Sequence, residues 1–246
     1  MWIAAGGDLH FAPATKVAAL QAELRAVASA ADLVLLAGDL TGHGRPEEAA
    51  ALAEACSDIA APVVCVLGNY DCCWRDGEVV AAALRDAGVV VLDQGAHVVE
   101  VDGLRVGIAG VTGAPGGFAG RAAWGMGRKA DRQWRRAAAT EADALEAALS
   151  SLQSCSVRIA LLHYSPTYET LEGEEPYLWP ALGSDQLATP IHRHRPDLVF
   201  HAHAHEGAPR GRVGAVPVYN VSAQVIGRPL ALVDLAVGPA VSSGQA

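Results

Sequence analysis

Short apolar runs alternate with longer amphipathic segments through the first part of the chain. The apolar runs predict strands, at Trp2–Gly6, Leu33–Ala37, Val63–Leu67 and Val89–Leu92. The amphipathic segments between them predict helices, at Thr15–Ser29, Pro46–Ile59 and Glu78–Ala87. Alternation of this kind is typical of a parallel sheet whose strands are buried on both faces.

The pattern changes in the second part of the chain. Two β-rich runs, His97–Val101 and Leu104–Val111, flank an Asp-Gly dipeptide, which predicts a hairpin. A helix is predicted at Thr140–Leu152, with further strands at Arg158–Leu162, Leu198–Phe200, Arg212–Val221 and Leu230–Ala236. We therefore expect an α/β fold in which two mixed sheets pack face to face, with helices outside.

The length of 246 residues fits a single large domain. We predict that this domain spans residues 1–236 and that 237–246 form a C-terminal tail. Two loop-rich stretches, 113–136 and 166–190, are predicted to be inserts within it.

Composition narrows the class of protein. Apolar residues make up 51% of the chain, which is enough for a sizeable core and argues against disorder of the whole chain. The formal net charge of −9 argues against nucleic acid as a partner, because binding its backbone needs clustered Lys and Arg. The five cysteines include no CxxC pair, no secretory signal is present, and no apolar stretch is long enough to span a membrane. These features predict a cytoplasmic protein with no membrane partner, and they do not indicate an oligomeric state.

Five of the predicted strands are followed closely by a short polar signature. The signatures are Asp8-Leu9-His10, Gly38-Asp39, Gly68-Asn69-Tyr70-Asp71, His163 and His203-Ala204-His205. Asp, His and Asn supply the oxygen and nitrogen donors that divalent metals accept. Ligands of open α/β sheets gather at the carboxyl ends of the strands, so these separate pieces of sequence should converge on one metal centre.

In kind and order, the five signatures resemble those of the calcineurin-like metallophosphoesterases. That family has D-x-H, then G-D, then G-N-H-[DE], a lone His, and G-H-x-H, and the resemblance covers roughly residues 6–206. It implies a four-layer α/β/β/α sandwich and a phosphohydrolase that acts on a small phosphorylated substrate. It also implies two divalent metal ions, of Mn, Fe or Zn, and a bridging hydroxide that attacks phosphorus.

The resemblance also implies which residues hold the ions. Asp8, His10 and His205 would bind one ion. Asn69, His163 and His203 would bind the other, and Asp39 would bridge the two.

Position 70 departs from the family pattern, because Tyr70 stands where the family has His. A phenol is a poorer proton donor at neutral pH than an imidazolium, although it can donate a hydrogen bond to a phosphate oxygen. The substrate would then have a good leaving group, or another residue such as His43 or Tyr164 would supply the proton, or turnover would be slow. This favours a phosphodiester or nucleotide-type substrate over a monoester. We count Asp71 with Tyr70 and His43 as a candidate catalytic residue; it orients a neighbouring group or caps the next segment.

A second departure is Ala202, where the family has Gly before the first His of the G-H-x-H block. His201 precedes it, so the block could also be aligned on 201 and 203. The apolar residues up to Phe200 and the Glu206-Gly207 that follows favour His203 and His205 as the ligand pair.

A cluster of basic residues follows a glycine-rich stretch between residues 113 and 136. One interpretation is a solvated helix face. The other is a mobile lid that places Arg121, Arg128 and Arg132 over the phosphate of the substrate.

Two further classes of function compete with the phosphohydrolase. One is a protein that keeps the fold and the metals but serves as a non-catalytic scaffold, and the other is a nuclease. A phosphomonoesterase or protein phosphatase is the alternative within the family. The full set of ligands argues against the scaffold, and the net charge argues against the nuclease.

Overall fold

The computed structural model describes residues 1–11, 17–73, 77–119 and 128–235. Within these residues the strands are β1 (Trp2–Gly6), β2 (Leu33–Ala37), β3 (Val63–Val66), β4 (Val90–Leu92), β5 (Gly95–Val101), β6 (Leu104–Val111), β7 (Val157–Leu162), β8 (Leu198–His201), β9 (Arg210–Val213), β10 (Val216–Asn220) and β11 (Ala231–Asp234). The helices are α1 (Val17–Ala28), α2 (Pro46–Ser57), α3 (Glu78–Asp86), α4 (Arg128–Ser151), α5 (Trp179–Leu182), α6 (Ala188–His194) and α7 (Ala223–Ile226).

The strands form two sheets. The first has the order β11-β1-β2-β3-β4, in which β1 to β4 are parallel and β11 is antiparallel to β1. The second has the order β5-β6-β7-β8-β10-β9, in which β6, β7, β8 and β10 are parallel and the two edge strands are antiparallel to their neighbours. Both sheets are therefore mixed, as the sequence predicts.

Alternation of side chains along the strands produces three apolar layers. Ile3, Leu33 and Leu35 point from the first sheet toward Ile159 and Phe200 of the second, and this cluster fills the space between the sheets. The opposite face of the first sheet packs against α1, α2 and α3, and the opposite face of the second packs against α4 and α6. The chain thus forms an α/β/β/α sandwich, which confirms the predicted fold class.

The hairpin predicted at the Asp-Gly dipeptide is confirmed. β5 and β6 pair from Val101 opposite Leu104 outward, and the turn residues Asp102 and Gly103 have φ of 51° and 78°. Two consecutive residues with positive φ give the turn whose twist matches that of the flanking strands.

Two element predictions differ from the structure. The predicted helix at Thr140–Leu152 is the second half of α4, which begins at Arg128 and so includes much of the basic cluster. Arg212–Val221 divides into β9 and β10 around a turn at Gly214, and β11 crosses to the other sheet to pair with β1. In the described part of the chain, no helix is both long and apolar enough to cross a membrane.

Candidate metal centre

Seven candidate ligands lie just beyond the carboxyl ends of parallel strands. Asp8 and His10 follow β1, Asp39 follows β2, Asn69 follows β3, His163 follows β7, and His203 and His205 follow β8. The two sheets meet at this edge, since Nδ1–H of His163 donates a hydrogen bond to the carbonyl of Ala37 at the end of β2, at 2.9 Å. Strand ends of both sheets therefore contribute to one site.

The first group of ligands consists of Asp8, His10 and His205. One potential ligand atom from each lies within 4.8 Å of the others. Asp8 is buried, whereas His10 and His205 are partly exposed. Nε2 of His205 lies 3.5 Å from Oδ2 of Asp8, which is close enough for one cation to be shared between them.

The second group consists of Asp39, His163 and His203, whose potential ligand atoms also lie within 4.8 Å of one another. Nε2 of His163 lies 3.5 Å from Oδ2 of Asp39 and 3.0 Å from Oδ1 of Asn69. Asn69, which the family resemblance assigns to this group, thus faces the same point as His163.

Backbone hydrogen bonds connect the two groups, and ring contacts hold each group together. The backbone N–H of His203 donates to Oδ2 of Asp8 at 2.8 Å, so a residue of the second group holds a carboxylate of the first. The rings of His163 and His203 lie 4.7 Å apart, and those of His10 and His205 lie 5.6 Å apart. The two groups consequently form a single cluster.

Two observations show that the cluster fits metal ions. Among the described residues, Oδ1 of Asp8 is a buried carboxylate oxygen without a hydrogen-bond partner, an arrangement that is costly unless a cation lies beside it. In addition, Nδ1–H of His163 donates to Ala37, so Nε2 is the ring nitrogen that faces the oxygens of Asp39 and Asn69. These three atoms need a positive charge between them, which the Nε2 proton supplies in the metal-free protein and a metal ion can supply in its place.

The pKa values of these residues reflect the same electrostatics. Burial alone would lower the pKa of His163, but the carboxylates of Asp39 and Asp8 outweigh it and raise the pKa to about 9. Burial alone would raise the pKa of Asp8, but a hydrogen bond from His205 and the charge of His163 lower it to about 2. Burial and the charge of His163 lower the pKa of His203 to about 3, so this ring stays neutral, as a metal ligand must.

Four of the candidate ligands have left-handed backbone conformations. The φ values are 52° for Asp8, 45° for His10, 49° for Asp39 and 70° for His203. Such conformations are strained for residues other than glycine, and they cluster at functional sites. The loops after β1, β2 and β8 are therefore shaped to present these side chains rather than to minimise local strain.

Glycine is required for different reasons at the two glycine positions of the signatures. Gly38 has a φ of 84°, which a residue with a side chain rarely adopts. At Gly68 the requirement is space, because a Cβ there would lie 2.2 Å from Oδ1 of Asp39 and 2.3 Å from its backbone nitrogen. The loop after β3 can approach Asp39 this closely only with glycine.

The structure gives Asp71 a positioning role. Its side chain is fully buried and accepts hydrogen bonds from backbone N–H groups of Leu40, Thr41 and Gly68, at 3.1, 2.8 and 2.9 Å, and from the Thr41 hydroxyl at 2.7 Å. Asp71 therefore ties the loop after β2 to the loop after β3. With both oxygens occupied in this way and no part of the side chain exposed, the carboxylate is closed off from solvent.

The choice of His203 and His205 over His201 is supported by their surroundings. His201 is fully buried at the end of β8, where Nδ1–H donates to the carbonyl of Ala202 and Nε2 lies 2.8 Å from the Thr170 hydroxyl. Ala202 fits because it packs against Gly7, at which a Cβ would lie 2.6 Å from the alanine methyl group. The positive φ of this loop falls at His203, so alanine at 202 meets no conformational penalty.

Sequence analysis missed a group of residues that support the ligands from a distant loop. Nε2 of Gln224 donates to the Asp8 backbone carbonyl at 3.3 Å, and the Ser222 hydroxyl donates to Oε1 of the same Gln224 at 2.8 Å. Nδ2 of Asn220 donates to the carbonyl of Ala204, between the two ligand histidines, at 2.8 Å. These residues lie in none of the five signatures, so only the fold brings them to the site.

A family model described as calcineurin-like phosphoesterase matches residues 1–207, which contain all five signatures. This chain belongs to the calcineurin-like phosphoesterase family. It is accordingly a metal-dependent phosphoester hydrolase. No curated protein matches the chain in sequence.

Solved structures with the same fold include two that match over most of both chains. One is phosphopantetheinyl hydrolase (PptH) from Mycobacterium tuberculosis, with a TM-score of 0.66, 16% identity, and coverage of 89% of this chain and 88% of that one. The other is the protein TT1561 of Thermus thermophilus, with a TM-score of 0.61, 20% identity, and coverage of 95% and 98%. At these identities the likeness concerns the fold.

Tyr70, which replaces the usual histidine of this phosphoesterase family, lies at the open side of the cluster. Its side chain is exposed, and its ring lies 5.0 Å from that of His10. Its backbone N–H donates to Oδ1 of Asp39 at 2.7 Å, which fixes the loop relative to the second ligand group. His43 lies next to it, with a ring-to-ring distance of 6.4 Å. Tyr164, by contrast, is buried, and burial raises the pKa of its hydroxyl further from the range of a proton donor.

The arginines assigned to the substrate lie at the beginning of α4 or before it. Arg121 is outside the described residues, Arg128 is the first residue of α4, and Arg132 lies one turn further along. Arg132 lines a cavity of about 380 Å³ together with Lys129, Gln133 and Arg136. The cationic side chains around it make this cavity strongly basic.

Proposed function

We propose that this phosphoesterase is a dinuclear enzyme that cleaves a phosphodiester or a nucleotide-type phosphate bond. One ion would be held by Asp8, His10 and His205. The other would be held by Asn69, His163 and His203, with Asp39 between the two. The observation that carries the proposal is the pair of adjoining candidate ligand groups, the first of which contains the buried Asp8 oxygen that lacks a hydrogen-bond partner.

When bound, the two ions would supply a hydroxide nucleophile of low pKa and neutralise the phosphate oxygens in an in-line displacement. The protein contributes charge balance, because only two of the seven ligands are anionic and the loaded centre stays positive. It also orients the ligands, since the contact with Ala37 fixes the ring of His163. The supporting hydrogen bonds to Asp8 and Asp39 act in the same way.

Tyr70 favours a substrate with an activated leaving group. Its hydroxyl can donate a hydrogen bond to a phosphate oxygen, but it is a weak acid toward a departing alkoxide. We expect Tyr70→Phe to lower kcat less on an aryl ester than on an alkyl ester. Equal losses on both esters would contradict a role for Tyr70 in the departure of the leaving group.

Residues 113–136 would form a lid over the substrate, and its side chains Arg121, Arg128 and Arg132 would contact the phosphate. The basic cavity beside Arg132 indicates that this face of α4 would suit an anionic ligand. Charge reversal of Arg128 and Arg132 together should raise KM for an anionic substrate and leave the metal content unchanged. An unchanged KM would remove the lid hypothesis.

The decisive experiment combines metal analysis with a substrate panel. The panel contains p-nitrophenyl phosphate, bis(p-nitrophenyl) phosphate, cyclic nucleotides and a nucleotide sugar, each assayed on protein loaded with Mn²⁺. Two ions per chain and preferred cleavage of the diesters or nucleotides are expected. Fewer than two ions would overturn the dinuclear centre, and transfer of the phosphoryl group to a side chain, detected by mass spectrometry, would overturn attack by hydroxide.

The alternatives give different outcomes in the same assay. A phosphomonoesterase or protein phosphatase would cleave the monoester only, and a scaffold would bind both ions without hydrolysis. We also propose a cytoplasmic location, which suits the two exposed free thiols of Cys72 and Cys73. Nucleic acid remains outside the proposed substrates because of the net charge of −9.

A further inference from the structure

Glu48 is a buried acid that neither the family pattern nor the proposed mechanism uses. It lies in the first turn of α2, and its side chain is only 1% exposed. Oε2 accepts hydrogen bonds from the backbone N–H groups of His43, at 2.7 Å, and Arg45, at 3.2 Å. Oε1 faces Nδ1 of the His43 ring at 3.4 Å. Both oxygens of this carboxylate are therefore directed at the loop that follows Asp39.

The His43 ring is held on one side and open on the other. Nδ1 faces Glu48, whereas 59% of the side chain is exposed, so Nε2 is accessible from solvent. The loop itself is fixed, because the N–H of Gly42 donates to the carbonyl of Phe11 at 2.8 Å and the N–H of Gly44 donates to the Thr41 hydroxyl at 3.0 Å. A small, well-packed loop thus presents an imidazole at a defined place.

That place is beside the position where the family has its histidine. The His43 ring lies 6.4 Å from the Tyr70 ring, at an angle of 65°. The Tyr70 ring in turn lies 5.0 Å from that of His10, a member of the first ligand group. An imidazole at 43 therefore stands one aromatic ring further from the metal centre than the missing histidine would.

We propose that Glu48 and His43 form a carboxylate–imidazole pair that protonates the leaving group. This inference rests on the proposed function. As the new bond from the attacking oxygen to phosphorus forms and the bond to the leaving oxygen breaks, the proton on Nε2 of His43 passes to the leaving oxygen. The Nδ1 proton stays on the ring against Glu48, and Nε2 then regains a proton from water. His43 is the catalytic residue of the pair, and Glu48 is a positioning residue.

The competing explanation is that Glu48 only caps α2. The contact of Oε2 with the backbone of Arg45 is a cap of this kind, and it accounts for one oxygen. It does not account for Oε1, which faces the ring of His43 rather than a backbone donor of the helix. A cap would affect the stability of the protein and would act equally on all substrates, whereas proton donation depends on the leaving group.

The test compares leaving groups across variants of the Mn²⁺-loaded enzyme. For His43→Ala we expect kcat on an alkyl phosphate ester to fall by about 10²-fold, within the usual range for a general acid. The p-nitrophenyl ester of the same phosphate releases p-nitrophenolate, a leaving group that departs without a proton. On this ester kcat should change by less than about threefold, and KM of the variant should stay similar to that of the wild type on both esters. Glu48→Gln should show the same dependence on the leaving group with a smaller loss, of about tenfold.

Matched controls come from the same chain. Glu47→Gln changes the neighbouring exposed acid in the same turn of α2, and His192→Ala removes an exposed histidine of α6. For both variants, any change in kcat should be the same on the alkyl and the p-nitrophenyl ester. Equal losses of His43→Ala on both esters, or no loss on the alkyl ester, would overturn the pair. If Glu48→Gln does not fold, the result for His43→Ala, whose side chain is mostly exposed, still decides. Failure of the proposed function looks different from failure of the pair. If the wild type cleaves no ester at all, the proposed function is overturned and the pair with it. If the wild type is active but His43→Ala shows no dependence on the leaving group, only the pair is overturned.

Discussion

Replacement of Asp71 by asparagine should destabilise the fold and weaken the metal centre at the same time. Oδ2 of Asp71 accepts hydrogen bonds from the backbone N–H groups of Leu40 and Gly68, and Oδ1 accepts from the N–H and the hydroxyl of Thr41. Asparagine keeps the shape of the side chain, but its amide nitrogen cannot accept a hydrogen bond. On one side of the side chain, two buried donors therefore lose their partner.

The magnitude follows from that count. A buried N–H left without an acceptor costs about 1–3 kcal/mol, so two of them cost about 2–6 kcal/mol. The substitution also relieves the burial of a charge, which raises the pKa of Asp71, so the lower part of this range is expected, about 2–4 kcal/mol. For a chain of 246 residues, this corresponds to a fall in Tm of roughly 4–16 °C.

The metal centre should respond because Leu40 and Gly68 are the immediate neighbours of Asp39 and Asn69. The assay is thermal unfolding of the metal-free protein, followed by calorimetric titration with Mn²⁺. Asp86→Asn, at an exposed position at the end of α3, is the matched control and should leave both measurements unchanged. A Tm for Asp71→Asn within about 2 °C of the wild type, together with unaltered Mn²⁺ binding, would refute this reasoning.

Three further outcomes are expected. Gly68→Ala should lower the stability of the protein and its affinity for Mn²⁺, measured by titration calorimetry, because the added Cβ would overlap Asp39. Gly95→Ala is the control and should leave Mn²⁺ binding unchanged, because a Cβ at position 95 meets nothing within 4 Å. Asp39→Asn should reduce both the metal content, measured by elemental analysis, and kcat by at least about 10²-fold, since it removes the proposed bridging charge. The affinity of the metal-free protein for Mn²⁺ should increase as the pH rises toward about 9, because the ion must displace the proton that the raised pKa of His163 retains below that value. Calorimetry between pH 6 and 8 that finds no such increase would contradict this last expectation.

Much of the fold could be predicted from hydropathy because the decisive signals are local. Leu33–Ala37 consists only of apolar residues and is fully buried as β2, and the Asp-Gly turn specifies the β5–β6 hairpin. The seven candidate ligands could be proposed for a related reason. Each lies within four residues of a strand end, and the carboxyl ends of parallel strands meet at one edge of a sheet.

The remaining features depend on tertiary contacts that leave little trace in the sequence. β11 pairs with β1 rather than with its neighbours in the chain, and a strand pattern does not specify its partner. Glu48 belongs to a Pro-Glu-Glu segment that reads as an exposed helix start, yet the fold buries its side chain. For the first turns of α4, the sequence does not decide between a solvated helix face and a lid, because a basic cluster after a glycine-rich stretch obscures helical periodicity.

The left-handed backbone at Asp8, His10, Asp39 and His203 has a consequence for how the enzyme acquires its ions. The strain of these loops is carried by the folded chain before any ion arrives, so little conformational rearrangement is left for the binding step. Metals of similar size should then enter quickly and exchange for one another without unfolding. Which of them the enzyme carries in the cell would accordingly reflect their supply and the chemistry of the donors more than any adjustment of the protein to a particular ion.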